Sequence, residues 1–154
     1  MRKTNPTPES ETLSKTHESE RQNLLWSSKP INTKAFDYFP VLRKIRDYFE
    51  TNYSEPISLK KAASIAGLEK KYFSKIFRTH VGVGFKEWID FIRIQKAVDA
   101  LQSEDQSVTT VGFSVGFKSS TTFQRLFKKH ARMRPRDFRR VVVSRLRGNE
   151  NPYS

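Results

Sequence analysis

Two short runs of this chain, fifty residues apart, carry hydrogen-bonding side chains at helical spacing. The first holds Lys70, Lys71, Ser74, Lys75 and Arg78; the second holds Ser120, Thr121, Thr122, Gln124, Arg125, Lys128 and Lys129. Cationic groups of this kind donate to guanine edges and phosphate oxygens, a carboxamide bonds an adenine edge, and hydroxyls do either. Such chemistry reads and grips a polyanion and breaks no bonds. Cysteine is absent, which excludes disulfides, thiolate zinc sites, iron–sulfur ligation and a thiol nucleophile. His17, His80 and His130 are too scattered to make a metal site, and capping or phosphate contact is the expectation for the last two. Asp90, Asp99, Glu104 and Asp105 supply carboxylates without a nucleophile-base set or a Gly-rich phosphate loop. Neither an enzyme, a metal nor a cofactor is expected.

The elements that must position these residues follow from apolar periodicity. Residues 63–78 and 112–128 read alike: a short helix, a Gly-centred turn and a second helix, the helix-turn-helix pattern. Val41, Leu42, Ile45, Tyr48 and Phe49 predict a first helix over about 40–52, with Pro40 in its opening turn. Ser58 caps a second that ends at Gly67, and a third runs from about Lys70 to His80 with Tyr72, Phe73, Ile76 and Phe77 inward. A long fourth helix, about 85–103, is marked by Phe85, Trp88, Ile89, Ile92, Ala97, Val98 and Leu101 and joins two lobes. Arg93 upon it reads as a structural bridge, and Trp88 and Phe91 as core. Ser107 caps a fifth helix, Ser119 a sixth, and Pro135 opens a seventh. The fold class is therefore all-α: seven helices in two helix-turn-helix subdomains joined by a central helix.

The chain has 154 residues, with 29 Lys and Arg against 16 Asp and Glu and a net charge of +13. Residues 1–39 carry six basic and five acidic residues; residues 40–154 carry 23 and 11, so nearly all the excess lies in the folded part. From 118 to 147 eleven basic residues face Asp137 alone, a composition suited to neutralising phosphates. Residues 1–38, polar apart from a Leu24-Leu25-Trp26 cluster, bury too little to offset ordering entropy and are expected to be a disordered tail. The domain expected is 39–146, with lobe 1 about 40–84, the linker helix 85–103, lobe 2 about 106–146 and a short tail 147–154. No apolar run reaches the roughly 18 residues of a membrane span, and no signal-peptide core opens the chain. A cytoplasmic protein is the expectation.

The order and spacing of several motifs carry a resemblance. Leu59-x-x-x-Ala63, Gly67-Leu68, Tyr72-Phe73-x-x-x-Phe77, Gly82-x-x-Phe85-x-x-Trp88, Arg93-x-x-x-Ala97, Gly116-Phe117, Phe123-x-x-x-Phe127-Lys128-Lys129 and Pro135-x-x-Phe138-Arg139 span residues 41 to 140. Together they resemble the DNA-binding domain of the AraC/XylS family of bacterial transcription regulators. The resemblance implies two recognition helices in successive major grooves of double-stranded DNA. Carried over by position, the base readers are Lys70, Lys71, Ser74 and Lys75 in the first lobe and Ser120, Thr121, Thr122, Gln124 and Arg125 in the second. Arg78, Lys128, Lys129 and Arg136 are the phosphate contacts expected beside them. A 38-residue tail is too short for the family's effector domain, so the chain resembles the short stand-alone members, which act as monomeric activators with RNA polymerase as a further partner. Three positions depart from the pattern: Gly112 replaces the usual Ala, Arg132 the Gly after the sixth helix, and Glu69 the Ser or Thr cap. Glycine inside a helix costs about 1 kcal/mol, so a looser second lobe is expected.

Two readings from other classes stand beside this one. The basic C-terminal third suits a non-specific nucleic-acid packaging or RNA-binding protein with steep salt dependence. A loosened second lobe suits an interaction module that titrates a partner regulator.

Overall fold

A computed structural model describes residues 30–148. The Leu24-Leu25-Trp26 cluster and residues 149–154 of the expected C-terminal tail lie outside the described residues.

Eight helices follow in order: α1 (Ala35–Tyr38), α2 (Pro40–Asn52), α3 (Leu59–Ala66), α4 (Lys70–Val81), α5 (Phe85–Ala100), α6 (Val108–Ser114), α7 (Ser120–Ala131) and α8 (Pro135–Gly148). Seven of these are the helices that periodicity predicts, and no strand occurs among the described residues. The additional one, α1, is a single turn, too short to show a period. It moves the boundary expected at residue 39 toward the N-terminus. Ala35 and Phe36 are buried, and Phe36 stacks on Trp88 at 5.1 Å and meets Phe77 at 6.1 Å. Asn32 secures the approach, its backbone N–H donating to Val81 O and its side-chain amide to His80 O.

Each lobe closes over its own aromatic core. In the first, Phe85 is the hub, with Phe49, Phe73 and Phe77 at 5.3 to 5.5 Å from its ring. In the second, Phe117, Phe123, Phe127 and Phe138 form a chain of contacts of 5.4 to 5.8 Å. Large apolar side chains such as these each contribute about 1.5 to 3 kcal/mol on burial. The central helix serves both cores. Phe85, Trp88, Ile89 and Ile92 enter the first, while Ile94, Ala97 and Leu101 enter the second. It ends at Ala100 rather than at 103; Leu101, buried in the second core, makes the closing i→i−4 bond, its N–H donating to Ala97 O. Its 16 residues span about 24 Å.

The turns are built as their residues require. Gly67 closes α3 in the left-handed region at φ 68°, and Gly116 follows α6 at φ 107°. Oxygen side chains cap the next helices: Ser58 accepts from Lys61 N–H, Ser107 from Thr110 N–H and Ser119 from Thr122 N–H. Glu69 does the same for α4, so the departure from Ser or Thr leaves a cap in place. At Gly112, where helix propensity predicts a looser second lobe, the missing side chain has a packing role. A Cβ there would lie 2.5 Å from Phe123 Cδ1, so the glycine is where α6 closes on the core.

Candidate nucleic-acid interface

In α4 the buried Phe73, Phe77 and Val81 define the inward direction. At 100° per residue, Lys71, Lys75 and Thr79 then lie opposite, with Ser74 and Arg78 to one side. Lys70, Lys71, Lys75 and Arg78 are exposed and Ser74 is half-buried. The corresponding face of α7 carries Thr121, Arg125 and Lys129. There Thr121, Gln124, Arg125, Lys128 and Lys129 are exposed, and Ser120 and Thr122 are half-buried. Gln124 is pre-set, its Nε2 donating to Ser120 Oγ at 3.2 Å.

A groove runs between the two helices over the face of α5. One part, a cleft of about 670 Å³, brings Thr122 and Arg125 together with Lys86, Asp90, Arg93 and Lys118. The adjoining part, about 610 Å³, brings Ser74 and Arg78 of α4 opposite Lys129 of α7. Lys70, Lys71, Lys75, Ser120, Thr121, Gln124 and Lys128 do not line it, and Arg136 lies apart on α8. Burial raises the Asp90 carboxyl above its ordinary range, against the pull of Lys86, Arg93 and Arg125. Ion pairs between described residues join Arg46 to Asp37 and Asp47, Lys61 to Glu55, Arg140 to Asp137 and Arg147 to Glu104. No Lys or Arg of α4 or α7 is in these pairs, and all of them are exposed.

Some expectations for single residues change. Tyr72, expected inward, is 55% exposed beside Lys71 and Lys75. Phe73, Phe77 and Val81 fill the inward sector, and the spacing of those three is the signal that separates Tyr72 from them. His130, expected as a cap or a phosphate contact, lies inside the fold. It is 4% exposed and meets the edge of Phe91 at 6.4 Å. Burial and the nearby Lys129 lower its pKa to about 4, with Glu87 pulling the other way. His80 is taken up by Phe39, whose ring lies 4.0 Å from its own. Lys86 and Lys118 are exposed cations that motif matching passes over, since one sits in an apolar-patterned helix and the other in a turn. Among the described residues no cluster of His, Asp and Glu is placed to hold a metal ion, and no helix is long and apolar enough to cross a membrane.

Two helix-turn-helix units on one central helix, each presenting hydrogen-bonding and cationic side chains outward, define a double helix-turn-helix protein of the DNA-binding class. A family model described as a helix-turn-helix domain matches residues 62–141. The chain belongs to this family, in its AraC-type branch. The HTH-type transcriptional regulator YijO of Escherichia coli (strain K12) is 30% identical over 102 residues, 66% of this chain and 36% of that protein. The regulatory protein PocR of Salmonella typhimurium is 27% identical over 112 residues, 73% of this chain and 35% of that protein. The DNA-binding domain of AdpA, solved in complex with a target DNA, shares the fold at a TM-score of 0.65 and 22% identity, covering 69% of this chain and 95% of that one. The chain spans about a third of YijO and PocR, and 13% of an HTH-type regulator of Staphylococcus aureus (strain MSSA476) that it also matches.

Proposed function

We propose that the chain is a sequence-specific reader of double-stranded DNA that regulates transcription, with α4 and α7 in successive major grooves. Lys71, Ser74 and Lys75 read bases for lobe 1, and Thr121, Thr122, Gln124 and Arg125 for lobe 2; Lys70 and Ser120 stand at the heads of the two helices. Arg78, Lys128, Lys129 and Arg136 hold phosphates. The observation that carries this reading is the repetition: two helices in one fold position, each with exposed cations that enter no ion pair between described residues. Boxes about one helical turn, roughly 34 Å, apart suit such a pair. A linker helix of about 24 Å favours DNA bent toward the protein over straight DNA. Activation as a cytoplasmic monomer through contact with RNA polymerase completes the reading.

The basic run of residues 118–147 favours a second reading, sequence-independent binding of nucleic acid. Selection of bound sequences from random duplex DNA at about 0.15 M salt separates the two. Two enriched boxes one turn apart are expected. Lys75→Ala and Arg125→Ala should each relax preference at one base position and cost about 1 to 3 kcal/mol. Absence of enrichment, or equal loss on every sequence, would sink the base-reading assignment in favour of packaging.

A further inference from the structure

Glu69 and Ser119 hold the same place in the two lobes, immediately before the first turn of α4 and of α7. They cap with different charge. Glu69 Oε1 accepts from Lys71 N–H and Oε2 from Tyr72 N–H, each at 3.0 Å. These two bonds, Lys71 first, hold its carboxyl below the usual range, so it is ionised at neutral pH. Ser119 Oγ accepts one bond, from Thr122 N–H at 3.3 Å, and brings no charge. Lys118 precedes it.

The wider surroundings point the same way. Residues 40–84 hold nine basic and four acidic residues, residues 106–146 ten and one, so lobe 2 outweighs lobe 1 by +9 to +5. Glu69 is exposed and belongs to none of the ion pairs between described residues. A recognition helix enters the major groove by its N-terminal end, where flanking phosphates are attracted to the unpaired N–H groups and the positive end of the helix dipole. In α4 two of those groups, the N–H of Lys71 and of Tyr72, are already taken, by an anion.

We propose that Glu69 makes lobe 1 the conditional half of the reader. On DNA that lacks the box for α4, repulsion between its carboxylate and the backbone keeps lobe 1 off, while lobe 2 holds the duplex through charge. Lobe 1 docks only where Lys71, Ser74 and Lys75 meet their bases. The inference rests on the DNA-reading function above.

The test uses the full chain, Glu69→Ser, which retains a cap like that of Ser119, and Glu69→Gln, which removes the charge with the least change of shape. Two duplexes are compared by hydroxyl-radical footprinting and by affinity against salt: one carries both selected boxes, the other the lobe 2 box alone. On the single-box duplex the unaltered chain should protect that box only. Both variants should extend protection to the neighbouring turn, bind about 3- to 10-fold more tightly, and show a salt slope steeper by about 1 to 3. Footprint and slope unchanged in both variants would overturn the proposal. So would a loss of affinity confined to sites with cytosine at one position, which would make Glu69 a base reader. Failure of the unaltered chain to bind any duplex would instead remove the DNA-reading function itself, and the same titration shows it.

Discussion

Arg132 closes α7 at φ 60° and ψ 12°, a left-handed conformation in which a Cβ crowds the next carbonyl at a cost of about 1 kcal/mol. The matching place after α4 belongs to Gly82, at φ 91°. Both residues donate their N–H to the helix carbonyl four residues back, so the cap itself is common to the lobes. Arg132→Gly relieves the strain while adding freedom to the unfolded chain, and a net gain of about 0.5 kcal/mol is expected. Thermal unfolding should show a rise of a few degrees; an unchanged or lower midpoint would mean that the arginine side chain earns its place through a contact of its own. This residue was legible as an oddity because a glycine is usual there. Glu69 was likewise legible as an unusual charge, but its two capping bonds were not. Tyr72 is not legible in the same way, since an aromatic next to Phe73 reads as core until the buried set at 73, 77 and 81 fixes the direction of the helix.

Between elements, the contact of α6 with α7 turns on Gly112. Propensity alone makes Gly112→Ala stabilising by about 1 kcal/mol. Packing gives the opposite sign. The added Cβ would fall 2.5 Å from Cδ1 and 2.8 Å from Cγ of Phe123, whose fully buried ring is held between Phe117 and Phe127. Overpacking of this kind costs about 1 to 3 kcal/mol, so a net loss is expected in urea or thermal unfolding. Helix order and type were readable from periodicity because each helix repeats its apolar stripe; a sign that depends on one ring across an interface was not. The same holds for His130, which packs the end of α7 against Phe91 of α5. Its folded pKa, about 4, lies below the unfolded value near 6.5. Between these the unfolded chain binds the extra proton, so this stability is complete above about pH 6.5 and is lost as pH falls toward 4. Unfolding measured from pH 7.5 to 5 should show a steady decline, approaching about 2 kcal/mol from this group. His130→Leu should flatten that slope, and an identical slope in the variant would place the titrating group elsewhere.

For the molecule as a whole, the spacing of α4 and α7 depends on how the lobes are tied, and Arg93 is the tie. From α5 its Nε donates to Tyr53 O at 2.8 Å and its Nη2 to Glu55 O at 2.9 Å, which fixes the loop between α2 and α3. Its guanidinium also lies 5.8 Å from the centre of the Phe117 ring in lobe 2. Gly116 permits this approach, since a Cβ there would meet Arg93 Nε, Ser54 Cα and Tyr53 O at 2.9 Å each. One side chain thus joins the first lobe's loop, the linker helix and the second lobe's turn, a task the single ammonium of lysine cannot perform. Arg93→Ala leaves the aromatic cores of both lobes in place, so helicity should persist, with stability lower by about 1 to 3 kcal/mol. The more telling change is in recognition. If the tie sets the distance between α4 and α7, the unaltered chain should lose affinity sharply when the spacer between the boxes grows by one or two base pairs, because the boxes then move apart and rotate about the duplex. The variant should lose much less, while its preference within each box stays the same. Equal losses in both proteins would assign the spacing to the stiffness of α5 alone.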